Sequence, residues 1–123
     1  MRRLLLPLLP AAAVMAGIWI LSDQPALDIL PPLFAGQDKL LHAVEFMVLG
    51  AMLAFAGRSP LLSGTVSRAV AGVLWAGLDE IHQSWVPGRD CSTGDFLADC
   101  AGLAAGLLLA SGFASGAGRG TGA

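Results

Sequence analysis

Charge is scarce in this chain. Lys, Arg, Asp and Glu make up 13% of its 123 residues, about half the share in a typical soluble domain. Hydrophobic residues make up 55%, and the mean hydropathy is +0.71. A chain this short has a large surface for its volume, so it cannot hide that much apolar surface from water. Lipid is the solvent that removes the problem. Cysteine is nearly absent: Cys91 and Cys100 form no CxxC pair, so zinc ribbons and dithiol redox motifs are unsupported and no disulfide is expected. The net charge is -2, with no basic cluster interleaved with aromatics, which sets nucleic acid aside as a partner. No serine or cysteine sits in a recognisable nucleophile motif.

What the chain does have is apolar runs. A membrane-spanning helix needs roughly 20 mostly apolar residues. Four stretches approach this: about 4–21, 40–56, 66–85 and 95–113. The first carries no charge. His42 and Glu45 interrupt the second. Arg68 lies near one end of the third, with Asp79, Glu80, His82 and Gln83 near the other, and Asp99 lies near the start of the fourth. Pro7 and Pro10 fall early in the first helix, where missing N–H groups cost least. Arg2-Arg3, an apolar run and the small residues Ala11 to Ala13 resemble a signal peptide. The run continues to Leu21, which favours a retained helix.

The connectors are equally legible. Ser22 to Gln37 is a loop with Asp23, Asp28 and three prolines, Pro25, Pro31 and Pro32. Gly57 to Gly64 is a short turn, and Pro87-Gly88 marks another. Residues 112–123 are expected to be a disordered tail, which leaves 1–111 as the folded domain. Lys and Arg set orientation. Arg2, Arg3, Arg58, Arg68 and Arg119 fall on one side, and only Lys39 and Arg89 on the other. All nine acids fall with the second group. The expected architecture is an all-α integral membrane bundle of four transmembrane helices in the bacterial cytoplasmic membrane, with both termini cytoplasmic.

Charged groups inside a membrane are costly and usually face a bundle interior or a wet cavity. Asp38, His42 and Glu45 share one face of the second helix, spaced i, i+4, i+7. Asp79, His82 and Gln83 share one face of the third, with Glu80 about 100° around. Asp95 and Asp99 form a stripe on the fourth that Gly102 and Gly106 continue. With a rise of about 1.5 Å per residue, Glu45 lies roughly 8–10 Å below the outer helix ends. Asp79 is at about that level and Asp99 slightly shallower. These residues predict a polar pocket open to the outer face, below the turn that carries Arg89. Its expected lining is Asp38, Lys39, His42, Glu45, Asp79, Glu80, Gln83, Arg89, Asp95 and Asp99.

Each residue also has a plainer explanation. Asp38 suits a helix N-cap. Ser92-x-x-Asp95 fits a capping box. Asp90 and Glu80 fit a wetted interface, and Lys39 and Arg89 fit head-group snorkelling. Gly102-x-x-x-Gly106 fits close helix packing, as do Gly50, Gly72 and Gly77. Glu45, Asp79, His42 and Asp99 are least well explained in this way. His42, Glu45 and Asp79 are candidates for acid–base work. With His82 they are also candidates for holding a divalent cation, although neither local spacing is a metal signature. A phosphate would be repelled by so acidic a lining unless Arg89, Lys39 or a bound cation compensates.

At these same residues the chain resembles the VanZ-like family of bacterial membrane proteins. The likeness rests on Asp38-Lys39-Leu40-Leu41-His42, Glu45, Leu49-Gly50, Asp79-Glu80, Gln83, Pro87-Gly88-Arg89, Asp95, Gly102 and Gly106. It departs at Asp99 and Phe46, where the family pattern usually has asparagine and often tyrosine. The resemblance implies a four-helix membrane protein of the cell envelope, and the name-giving member is associated with teicoplanin resistance. Three functions compete. One is a binding module for an envelope lipid, a peptidoglycan precursor or a glycopeptide antibiotic. Another is an intramembrane enzyme acting on a lipid-linked phosphate or ester. The third is an ion pathway, disfavoured because the inner helix halves lack polar residues apart from Arg68.

Overall fold

The computed structural model describes residues 1–25 and 33–117. Asp28, Pro31, Pro32, Arg119 and the expected tail from 118 onward lie outside the described residues. Four long helical segments follow one another: α1 (Arg2–Ser22), α2 (Gln37–Ala56), α3 (Thr65–Gln83) and α4 (Thr93–Ala117). The described residues contain no strand. Within α1 the prolines leave their mark. Leu6–Leu8 tighten into a 3₁₀ turn around Pro7, and regular α-helix resumes at Leu9 with Pro10 in its first turn. The fourth helix runs to Ala117, so residues 112–117, expected in the disordered tail, continue it.

Three helical segments are long and apolar enough to cross a membrane: Arg2–Ser22, Gln37–Ala56 and Thr93–Phe113. The third of the four expected spans is not among them. Thr65–Gln83 has 19 residues but carries Arg68, Asp79 and Glu80. Burial is inverted relative to a water-soluble bundle. Ile20, Leu21, Leu40, Leu74, Leu97 and Leu108 are exposed, while Asp79, Glu80, Gln83 and Asp99 are at most 3% exposed. So large an apolar exterior marks a surface meant to be covered.

The helices alternate in direction, and hydrogen bonds fix which ends meet. At one end Ser59 Oγ donates to Leu4 O at 2.7 Å, joining the start of α1 to the α2–α3 connector. Arg68 reaches Ala54 O at 3.2 Å there. At the opposite end, Ser22 and Asp23 meet the end of α3, and Lys39 at the start of α2 meets Asp95 at the start of α4.

The closest pair is α2 with α4. A β-carbon on Gly102 would strike the Ala43 backbone, one on Gly106 the Met47 carbonyl, and one on Gly50 the Leu103 carbonyl. Around that contact Phe46, Leu49, Leu53, Leu103 and Leu107 form the core, with Ala76 from α3 and Ile18 from α1. Gly72 lies against the Leu103 side chain. Gly77, expected to allow close helix approach, has no neighbouring atom within 4 Å of where its β-carbon would be.

Candidate functional site

The polar residues gather where the loop ends of α1 and α3 meet the first turns of α2 and α4. Local sequence builds this end. Gly36, with φ +86°, starts α2, so Asp38 lies in the first helical turn and not at the N-cap the sequence favoured. Its charge there still suits the positive helix end. Ser92 Oγ accepts from Asp95 N at 3.3 Å at the start of α4, as the capping-box spacing predicts. The Val86–Arg89 turn closes through Arg89 N to Val86 O at 3.1 Å, with Gly88 at φ +78°. That is a conformation glycine adopts without steric cost.

At the centre, His42 Nδ1 lies 2.9 Å from Asp99 Oδ1. Both side chains are buried, at 8% and 0% exposure. Glu80 joins them from α3, and ligand atoms of His42, Glu80 and Asp99 all lie within 4.8 Å of one another. Glu80 Oε2 accepts from Ser92 N at 2.8 Å. Glu80 Oε1, Asp99 Oδ2 and Asp79 Oδ1 are buried with no hydrogen-bond partner. Glu45 is half-buried and lies within electrostatic reach of His42, Asp79, Asp99 and Arg89.

A second layer faces α1. Gln83 Nε2 donates to Asp79 Oδ2 and to Ser22 Oγ, both at 3.1 Å. His82 Nε2 lies 3.1 Å from Asp23 Oδ1. The His82 ring stacks on Trp19 with centroids 3.9 Å apart and planes 1° from parallel. His82 thus belongs to the α1–α3 seam and stands apart from the His42 trio. The metal-capable group among the described residues is His42, Glu80 and Asp99. The sequence had pointed instead to His42, Glu45, Asp79 and His82.

The two cations of this end are engaged by the protein itself. Lys39 Nζ contacts Asp95 Oδ1 at 3.1 Å and Asp38 Oδ2 at 3.3 Å. Arg89 donates to Leu21 O and Gln24 O, each at 3.3 Å. It therefore caps the carbonyl end of α1, where the helix dipole favours a cation. The buried centre is left rich in acceptors and poor in donors. Its chemistry suits a cation or a hydrogen-bond donor better than a bare anion.

A family model described as VanZ/LLP1 matches residues 8–114. The chain belongs to the VanZ/LLP1 family. The match spans the residues on which the VanZ-like resemblance rests, and that resemblance is borne out. No curated protein and no solved structure matches the chain.

The expected site residues do converge, but in pairs that helical spacing does not show. Two partners went unrecognised in the sequence, Trp19 and Ser22, and Ser92, read there as the cap of Asp95, also donates its backbone N–H to Glu80. Ser22 and Asp23 end the first apolar run, and that position is the one signal that placed them at the acidic end. Glu80 is the larger surprise. Its offset of about 100° from Asp79 turns it toward α2 and α4, while Asp79, His82 and Gln83 face α1.

Proposed function

We propose that this VanZ/LLP1-family chain is a multi-pass protein of the bacterial cytoplasmic membrane. Its four helices cross with both termini in the cytoplasm. Its outward acid–histidine end binds a polar ligand offered at the outer leaflet: an envelope lipid, a peptidoglycan precursor or a glycopeptide antibiotic. Binding the last of these would contribute to teicoplanin resistance. The observation that carries this reading is the cluster of buried carboxylate oxygens without partners at one end of the bundle. Buried acceptors are ordinarily satisfied, so a ligand bearing donors or a cation is the natural complement. Glycopeptides and peptidoglycan precursors are rich in amide N–H and ammonium groups.

Orientation is supported by charge. Arg2, Arg3, Arg58 and Arg68 gather at the end where Ser59 meets Leu4, and basic residues favour the cytoplasmic side. The eight described acids gather at the other. Thr65–Gln83, at 19 residues, is about 28 Å long, close to the roughly 30 Å of the hydrocarbon layer. Its acids can lie at membrane depth because α1, α2 and α4 shield them from lipid.

A second reading, an intramembrane enzyme acting on a lipid-linked phosphate or ester, is favoured by the His42–Asp99 pair. A carboxylate that orients an imidazole is a common arrangement for general-base work. Native mass spectrometry of the detergent-purified protein tests binding directly, with teicoplanin, polyprenyl-linked precursor and phospholipid added in turn. We expect one specific adduct in wild type that is lost in Glu45→Gln and Asp79→Asn variants that remain folded. Equal spectra for all three folded proteins would leave the polar cluster a structural network. Turnover of the bound molecule, abolished in Glu45→Gln, would select the enzyme.

A further inference from the structure

We propose that His42, Glu80 and Asp99 form a divalent transition-metal site, with Zn²⁺ or Mn²⁺ as the cation. The site rests on three helices: His42 from α2, Glu80 from α3 and Asp99 from α4. One ligand atom from each lies within 4.8 Å of the others, and all three residues are buried. The separation of His42 Nδ1 and Asp99 Oδ1 is 2.9 Å. Two ligands bonded to zinc at about 2.0–2.1 Å in tetrahedral geometry stand roughly 3.3 Å apart. Small side-chain shifts therefore close the site around an ion.

Two independent features point to a ligand. Asp99 is wholly buried, and its Oδ2 has no hydrogen-bond partner. Glu80 is 3% exposed, and its Oε1 is likewise unpartnered. Glu80 thus has one oxygen tied outside the trio and one left over, while Asp99 offers one oxygen toward the His42 ring and one with no partner at all. Ser92 N holds Glu80 Oε2 at 2.8 Å, an outer contact of the kind that orients metal ligands. Charge also balances, since two carboxylates and a neutral imidazole match a doubly positive ion. A mixed nitrogen and oxygen donor set suits zinc or manganese better than calcium or magnesium, which prefer oxygen alone.

The metal site shares the acidic end with the proposed ligand site and deepens that reading: a bound cation would let an otherwise repellent lining accept a phosphate or carboxylate. The test uses the full chain in detergent, stripped with a chelator and titrated with Zn²⁺ alone by calorimetry, with bound metal then counted by elemental analysis. We expect one ion per chain, bound at least tenfold more weakly by Glu80→Gln and by Asp99→Asn, and unchanged in Asp90→Asn, whose side chain is exposed and outside the pocket. Co²⁺ added to the wild type should give the intense visible absorption of a four-coordinate site, a readout that needs no variant. Folded wild type that binds neither Zn²⁺ nor Mn²⁺, or variants that bind as tightly as wild type, would overturn the proposal. Repeating the mass spectrometry with chelator present separates the two ideas. A lipid or glycopeptide adduct on metal-free protein that takes up no metal sinks the cation site alone. Metal uptake with no adduct sinks the ligand reading alone.

Discussion

Gly102→Leu is expected to abolish the native bundle. At this position α4 meets the backbone of α2, and even a β-carbon would overlap the carbonyl and Cα of Ala43. Backbone cannot swing aside as a side chain can. Gly106, one turn on, faces the Met47 carbonyl and Ala51 N in the same way, so the helices cannot tilt about one contact to relieve the other. Overpacking a well-filled core costs about 1–3 kcal/mol, and a leucine inserted between two backbones should cost at least ~3 kcal/mol by the same reasoning. The variant should run as an aggregate on gel filtration in mild detergent, or melt far below wild type. Gly77→Leu is the matched control. Its surroundings are open, and it should behave as wild type. The contrast separates glycines that set helix spacing from one that does not.

The second large effect concerns the His42–Asp99 pair. His42→Leu leaves a fully buried carboxylate whose Oδ1 has lost its partner and whose Oδ2 had none. Removing one member of a buried pair costs about 3–5 kcal/mol, because the other charge stays buried without compensation. Asp99→Asn should cost far less, about 1 kcal/mol, since its amide oxygen can still accept from the imidazole. The double variant His42→Leu/Asp99→Leu should be more stable than the summed losses of its single variants, His42→Leu and Asp99→Leu, because no orphaned charge remains. Thermal melts of the four proteins in one detergent give the coupling. Simple additivity would show that the two side chains do not act as a pair.

The boundaries of the fold were written in its apolar runs. Residues 4–21 are hydrophobic on all sides, and residues 40–56 are so beyond His42 and Glu45, which in a chain this short suits a membrane span. The close approach at Gly102 and Gly106 was legible because two small residues four apart share one face. The end of α4 was not legible. Gly112 and the glycines, serines and alanines after it read as a tail, yet the helix carries on to Ala117. Low intrinsic propensity is a weak guide when a long helix is already propagating.

The site was legible as a level, not as a set of contacts. A rise per residue places Glu45, Asp79 and Asp99 at one depth, and electrostatics couples them. Which side chain meets which depends on how far each helix is rotated about its axis, and that is fixed by packing in the core. Rotation sends His82 to Trp19 and Asp23 and sends Glu80 to His42 and Asp99. Arg89 shows the same limit. It reads as an anion grip from its place in a Pro-Gly turn, but in the fold it caps α1.

The central claim is that the acidic end faces outward, and the chain carries its own reporter. Cys91 lies exposed in the loop before α4, among the residues of that end. With Cys100 replaced by serine, a membrane-impermeant maleimide should label Cys91 in right-side-out vesicles without permeabilisation. Labelling that requires detergent, or that occurs only in inverted vesicles, would place the acid–histidine cluster in the cytoplasm and contradict the account.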